Sequence, residues 1–175
     1  MSNLSPQETA KILAGGLLSF PVTHFDADLK FQEGPYREHC EWLLSFSRLT
    51  GLFCAGGTGE VFSLTPDEVF QVTRAAVAAA KGRTPVIAGA GYGTAIAVEM
   101  AKNAEKAGAD GILLLPTYLM TPSQEGMVAH IDAVCKATSI AVIVYNRDNG
   151  IINEQSLARL CENNPNLVGF KDGVG

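Results

Sequence analysis

Short apolar runs alternate with amphipathic segments along the whole chain, and this alternation restricts the fold more than any other feature. Six runs of four to six residues are apolar without an in-out alternation, at residues 17–22, 51–55, 85–88, 111–115, 140–145 and 167–171. A strand that is buried on both faces of its sheet has this pattern. The segments between the runs repeat apolar residues at helical spacing. The sequence therefore predicts an α/β fold with a parallel sheet covered by helices.

Capping residues mark the starts of several predicted helices. Ser5 and Thr65 each precede a proline, and each is followed three positions later by a glutamate, which is the pattern of a capping box. Thr94 is expected to cap the helix after the third strand, and Asn153 the helix before the sixth. These signals place the helix boundaries independently of the apolar pattern.

Composition favours a small-molecule partner. The 175-residue chain has 47% hydrophobic residues, a formal net charge of −5 and a pI near 5.1. It has no cluster of lysine and arginine, so we expect no nucleic-acid partner. No long apolar run follows a basic start, so we expect neither a signal peptide nor a membrane span. The chain is interpreted as one soluble domain.

The cysteine pattern indicates a reducing compartment. The four cysteines form no C-x-x-C pair and fall in apolar segments, where free thiols behave as small buried hydrophobes; they are Cys40, Cys54, Cys135 and Cys161. We therefore predict a cytoplasmic protein. The three histidines have no ligand spacing with one another or with acidic residues, so neither a metal nor another cofactor is predicted; they are His24, His39 and His130.

Two parallel architectures compete, an open doubly wound sheet and a (β/α)8 TIM barrel. A dinucleotide-binding sheet carries G-x-G-x-x-G after its first strand, whereas the glycines at 89, 91 and 93 follow the third strand with another spacing. The glycine-rich segment 56–60 lacks the Gly-Lys ending of a P-loop. The sequence therefore predicts a barrel. A complete barrel has eight strands and about 250 residues, so we expect residues 1–175 to be a single catalytic barrel domain that covers roughly the first six βα units and is truncated at its C-terminus.

Polar residues at predicted strand ends form a candidate site. Lys171 ends the sixth run and Tyr145 the fifth, and in a barrel such positions are neighbours. An apolar strand that ends in lysine can deliver an amine for Schiff-base chemistry, with the phenol relaying protons; the alternative is a solvated, inert lysine. Gly57 and Thr58 end the second strand and are expected to hold a carboxylate through backbone N–H groups and a hydroxyl, unless they form only a tight turn.

Three motifs together resemble the signatures of the dihydrodipicolinate synthase and N-acetylneuraminate lyase family of class I aldolases, at residues 56–60, 145–146 and 169–172. The resemblance implies a barrel, usually a homotetramer, in which an α-keto acid forms an imine with Lys171 and Tyr145 relays protons. It implies that Gly57 and Thr58 hold the carboxylate next to the reacting carbonyl. Tyr118 is similar to a tyrosine that completes a relay across a subunit interface in some members.

Two departures from the family pattern narrow the expected activity. Gly57 stands where the synthase typically has a threonine, which removes a hydroxyl from its relay. Arg147 stands where many members have a proline, and its guanidinium can pair with a second carboxylate, unless it is an ordinary surface arginine. These features resemble a branch of the family that dehydrates and decarboxylates a keto sugar acid with a carboxylate at each end. A retro-aldol lyase acting on another keto acid, and a noncatalytic keto-acid-binding homologue or fragment, are the alternatives.

Overall fold

Helices and strands alternate through the computed structural model, which describes residues 4–174. The strands are β1 Leu17–Ser19, β2 Leu49–Cys54, β3 Val86–Ala90, β4 Gly111–Leu114, β5 Ala141–Asn146 and β6 Leu167–Asp172. The helices are α1 Pro6–Leu13, α2 Glu33–Leu44, α3 Pro66–Ala80, α4 Thr94–Ala107, α5 Gln124–Ala137 and α6 Glu154–Asn163. Residues 1–3 and Gly175, which belong to the predicted polar start and to the segment after the sixth strand, lie outside the described residues. Within 4–174, no helix has the length and apolar character needed to cross a membrane.

The strands form one parallel sheet in which each strand pairs with the next one in the chain, in the order β1-β2-β3-β4-β5-β6. A doubly wound sheet reverses its strand order at a switch point, and this sheet has no reversal. Consecutive order is the order of a (β/α)8 barrel. The predicted α/β class and six βα units are confirmed.

The sheet has an apolar layer on each face because successive side chains of a strand point to opposite faces. The layer against the helices is the larger and contains the buried residues of α2 to α6. The opposite layer consists of one inward residue from each of four strands and one from α1, which are Phe53, Ile87, Leu113, Ile143 and Leu13. Strands β2 to β5 are almost entirely buried, as continuous apolar runs predict, whereas the edge strands β1 and β6 are more exposed.

Most predicted caps are present, and one is wrong. Ser5 and Thr65 form capping boxes, and the Asn153 side chain accepts a hydrogen bond from the third helical residue of α6. Gly93, and not Thr94, is the N-cap of α4, so Thr94 is the first helical residue. Its side chain is therefore free to turn away from the helix N–H groups and contacts α5.

Two further expectations differ from the structure. Strand β1 ends at Ser19 and not at residue 22, because Pro21 has no N–H to continue the ladder. Cys161 is exposed on α6, whereas the other three cysteines are buried as expected. The apolar neighbours of Cys161 in the sequence do not bury it, because it lies on the outer face of its helix.

Candidate active site

Lys171 and Tyr145 lie side by side at the carboxyl ends of β6 and β5, where the two residues are register partners. The Lys171 Nζ lies 4.0 Å from the centroid of the Tyr145 ring and 4.6 Å from that of Phe20. Aromatic faces at these distances attract a cation. Among the described residues, no carboxylate forms an ion pair with Lys171. The amine is thus held by aromatic rings, and its nitrogen is not engaged by an acid.

A cavity of about 440 Å³ lies along β6 and includes Lys171. Its walls are largely apolar and include Phe20, Phe53 and Ile143. The lysine is half-buried at this position. The arrangement places one amine in an apolar recess that is large enough for a small organic molecule.

Arg147 extends the site beyond Tyr145. Its Nη1 donates a hydrogen bond to the Tyr145 hydroxyl at 3.3 Å, and its Cζ lies 5.4 Å from the centroid of that ring. Its Nε donates to the Asp148 carboxylate. The hydrogen bond to Asp148, and then that to Tyr145, raises the pKa of Arg147. The guanidinium is a permanent positive charge with further N–H donors for an anion.

Four of the six predicted site residues line one cavity of about 510 Å³, and they are Gly57, Tyr118, Tyr145 and Arg147. Lys171 is not in this lining. It borders the neighbouring cavity described above and contacts Tyr145. Tyr145 therefore connects the recess of the lysine with the larger cavity. Thr58 is exposed in the turn beside Gly57 and does not belong to the lining.

The turn after β2 has the properties of an anion site. Gly57 and Thr58 are exposed, and in the described turn neither of their N–H groups donates to a backbone carbonyl. The turn is anchored from the loop after β1 by the Thr23 hydroxyl, which donates to the Gly59 carbonyl at 2.6 Å. A Cβ on Gly59 would lie 2.9 Å from the backbone nitrogen of Ala55, so only glycine fits there. Two unpaired N–H groups on an anchored turn suit a carboxylate.

Sequence reasoning missed the part played by Asn146, which joins the ends of β5 and β6. The Asn146 Nδ2 donates to the Asp172 carboxylate at 3.0 Å, and its Oδ1 accepts from the Ile152 N–H at 3.0 Å. Asn146 directly follows Tyr145 in β5, and Asp172 directly follows Lys171 in β6. These equivalent positions were the feature of the sequence that could have indicated the pair. The bond holds the strand ends at a defined separation, and with them the phenol and the amine.

Tyr118 lies in the exposed loop after β4. The residue is 62% exposed, and its ring centroid lies 5.7 Å from that of Phe62. The next two residues of the loop, Leu119 and Met120, are also exposed. The proposed relay across a subunit interface stays a prediction.

Two histidines form a pair at α2, apart from Lys171. The rings of His24 and His39 have centroids 5.2 Å apart, and burial, followed by the neighbouring His24, lowers the pKa of His39. In the described part of the chain, no group of three or more histidine, cysteine or acidic side chains is arranged to hold a metal ion.

Fold and site together define a class: a β/α-barrel protein with a lysine at the end of its sixth strand and a tyrosine beside it. The sequence model of the dihydrodipicolinate synthetase family matches residues 13–175. The chain belongs to this family, as the three motifs indicated.

Relatives and a solved structure agree with this assignment. A protein of Rhizobium rhizogenes named "Probable 5-dehydro-4-deoxyglucarate dehydratase" is 63% identical over 172 residues, covering 98% of this chain and 56% of the relative. A protein of the same name from Bradyrhizobium is 61% identical over 175 residues, covering 100% of this chain and 55% of the relative. The 4-hydroxy-tetrahydrodipicolinate synthase of Methylacidiphilum fumariolicum superposes with a TM-score of 0.86 at 31% identity, over 92% of this chain and 54% of that one. The chain thus spans about half the length of the relatives that it matches.

Proposed function

We propose that this chain supplies the reactive lysine of a decarboxylating dehydratase that converts 5-dehydro-4-deoxyglucarate into 2,5-dioxopentanoate, CO2 and water. The observation that carries the proposal is the placement of the Lys171 Nζ 4.0 Å from the Tyr145 ring centroid at adjacent strand ends. The names of the relatives support the choice of substrate. Because the chain spans about half of those relatives, the activity of the whole protein is part of the proposal.

The first step is formation of an imine. The neutral Lys171 amine attacks the keto carbon, and the carbinolamine loses water to give a protonated imine. Both stages need a group that gives and takes protons next to the nitrogen. The Tyr145 hydroxyl has this role, with the Arg147 Nη1 donating a hydrogen bond to it at 3.3 Å. A donor to the phenol oxygen stabilises the phenolate that forms when the proton is given away.

Dehydration and decarboxylation follow on the imine. Loss of a proton from the methylene beside the imine carbon gives an enamine, which expels the β-hydroxyl as water. The product is a conjugated iminium, and it accepts the electron pair that remains when the far carboxylate leaves as CO2. Protonation of the resulting dienamine, tautomerisation of its enol to the aldehyde and hydrolysis release 2,5-dioxopentanoate and the free lysine.

Two groups are proposed to hold the carboxylates of the substrate. The N–H groups of Gly57 and Thr58 bind the carboxylate next to the keto carbon. Arg147 binds the far carboxylate with the N–H groups that do not contact Asp148 or Tyr145. Gly57 and Arg147 line the same cavity, which supports a substrate that reaches both. We also retain the predictions of a homotetramer and of a cytoplasmic location, and sedimentation analysis tests the first.

Borohydride trapping tests the chemistry. The chain is incubated with 5-dehydro-4-deoxyglucarate and reduced, and peptide mass spectrometry locates the adduct, while CO2 is measured in an unreduced sample. We expect an adduct on Lys171 together with CO2, no adduct in Lys171→Ala, and an unchanged adduct in Lys102→Ala, which removes an exposed lysine of α4.

Other outcomes separate the alternatives. An adduct accompanied by pyruvate and no CO2 would replace the dehydratase with a retro-aldol lyase of the same family. The absence of an adduct with any keto acid would reject Schiff-base chemistry for this chain and leave a noncatalytic homologue or fragment.

A further inference from the structure

A third cavity lies on the helix-covered face of the sheet, between the carboxyl ends of β4 and β5 and the helices α4 and α5. It has a volume of about 190 Å³ and is walled mainly by apolar side chains, among them Leu114, Val144 and Ile131. Leu114 and Val144 belong to the layer that packs against the helices. Neither Lys171 nor Arg147 belongs to the wall, although the cavity shares Tyr145 with the candidate active site.

His130 of α5 contributes an unused hydrogen-bonding atom to this cavity. Its Nδ1 lies 2.9 Å from the Thr94 hydroxyl at the start of α4, and both residues line the cavity. Its Nε2 is buried and has no hydrogen-bond partner among the described residues. Burial lowers the pKa of His130, which favours the neutral ring. A buried nitrogen without a partner is unfavourable, and such atoms in proteins usually bind a water molecule or a ligand.

We propose that this cavity binds a small neutral molecule, about the size of a six-membered ring, that carries a hydroxyl group hydrogen-bonded to the Nε2 of His130. The size follows from the volume, because an apolar protein cavity of about 150 Å³ accommodates benzene. We infer a neutral ligand because the described residues of the wall include no acidic or basic side chain other than His130. A charged ligand would lose its hydration without compensation.

We infer a hydroxyl group on the ligand because the neutral imidazole of His130 has two tautomers. Its Nε2 is a donor in one tautomer and an acceptor in the other, and the Thr94 hydroxyl can complement the Nδ1 in both. A hydroxyl on the ligand can donate or accept, so it satisfies the Nε2 in either tautomer. A carbonyl or an amine nitrogen without hydrogen would satisfy only one of them.

Tyr145 connects this site with the candidate active site, because it lines both the 190 Å³ cavity and the 510 Å³ cavity. The smaller cavity is therefore bordered by the residue that lies against Lys171. The binding itself does not depend on the proposed reaction, and it is measured without a substrate.

Phenol is the probe that tests the site, with benzene as the matched ring without a hydroxyl. Binding to the chain is measured by calorimetry and by chemical-shift changes at the amides around the cavity. We expect saturable binding of phenol, about three- to tenfold tighter than that of benzene, as one hydrogen bond provides. Equal affinity for the two rings, or no saturable binding of phenol, would overturn the proposal.

Variants assign the effect to His130. His130→Asn retains a polar atom near the position of Nδ1 and loses the distal nitrogen, so we expect phenol to lose its preference over benzene. His130→Gln places a polar atom near the position of Nε2 and should keep the preference. His39→Asn, at the histidine pair on α2, is the control and should bind phenol as the unchanged chain does. A preference that survives His130→Asn would overturn the assignment.

Filling the cavity gives an independent test that does not alter the histidine. Gly126 of α5 lines the cavity, and a Cβ there would make ordinary contacts, 3.4 Å from the Ser123 Oγ and 3.6 Å from the Pro122 Cβ. Gly126→Leu should therefore fold and exclude both rings. Unchanged phenol affinity in a folded Gly126→Leu chain would place the binding elsewhere and refute the site.

Discussion

The amine of Lys171 lies 4.0 Å from the centroid of the Tyr145 ring, although a complete βα repeat separates the two residues in the chain. The contact follows from the register of β5 and β6, which pairs Tyr145 with Lys171 and Asn146 with Asp172. Two adjacent strands of one sheet therefore hold the proposed nucleophile and the proposed proton-transfer group in a fixed relation. Such fixed placement contributes strongly to catalysis because little ordering remains to be done in the reaction.

Replacing Tyr145 by phenylalanine separates its two roles. Tyr145→Phe keeps the ring that contacts Lys171 and removes the hydroxyl, so we expect the adduct with a keto acid to form about 10²- to 10⁴-fold more slowly. Single-turnover trapping with borohydride measures the rate. Tyr92→Phe is the control, because it removes a hydroxyl that donates to the Val61 carbonyl, and its rate should not change. Equal rates for Tyr145→Phe and the unchanged chain would remove Tyr145 from the relay.

Two glycine substitutions test different roles: Gly57→Ala tests anion binding by the turn after β2, and Gly89→Ala tests close packing of the backbone. A Cβ on Gly57 would have no atom within 4 Å, so Gly57→Ala should change the free energy of unfolding by less than about 0.5 kcal/mol. The same Cβ would hinder a carboxylate at the turn, and we expect half-saturation to need about tenfold more keto acid.

Gly89→Ala is the contrasting variant. Its Cβ would lie 1.9 Å from the Ala55 carbonyl oxygen, and we expect it to lose about 3 kcal/mol or more of unfolding free energy. Urea denaturation measures the free energy of unfolding of Gly57→Ala and Gly89→Ala. Unchanged keto-acid binding in Gly57→Ala would leave this turn with a structural role only.

Asn146→Ala tests the connection between the two strand ends. Asn146 is 7% exposed, and its loss leaves the Ile152 N–H and the Asp172 carboxylate without this partner. We expect the free energy of unfolding to fall by about 1–3 kcal/mol, together with slower adduct formation on Lys171. Asn163→Ala removes an exposed amide of α6 and should alter neither quantity. A stable Asn146→Ala chain with an unchanged trapping rate would contradict the positioning role.

The capping box of α3 gives a pH-dependent prediction. The hydrogen bond from the Thr65 N–H, and then that from its hydroxyl, lowers the pKa of Glu68 below 4.5. Because the folded pKa lies below the unfolded one, this stabilisation is present above about pH 4.5 and is lost as the pH falls through the folded value. Thr65→Ala should therefore lower the free energy of unfolding by about 1 kcal/mol at pH 7, and by less at pH 3.

Urea unfolding at the two pH values checks this difference. Ser47→Ala is the control, since Ser47 is exposed and lies between elements. Ser47→Ala should leave the free energy of unfolding unchanged at both pH values. An equal cost of Thr65→Ala at pH 3 and pH 7 would show that the Glu68 carboxylate takes no part.

Local patterns predicted much of the fold. Strands that are buried on both faces leave continuous apolar runs in the sequence, and capping boxes place a hydroxyl and a carboxylate three residues apart, so both are readable without a structure. The predictions were wrong where the structure depends on a property of one backbone position or on the packing of a whole helix. Pro21 ended β1 early, and the orientation of α6 left Cys161 exposed.

The sequence by itself determined the order of strands and helices, the residues at the strand ends, and the motifs that indicate the dihydrodipicolinate synthetase family. These depend on residue type and on spacing within one element. Only the tertiary structure decided that Lys171 borders a different cavity from Arg147, that Asn146 joins Asp172, and that the buried Nε2 of His130 has no hydrogen-bond partner within residues 4–174. Such relations depend on strand register and on helix orientation. Both are set by packing between residues that are far apart in the chain, and no local pattern records them.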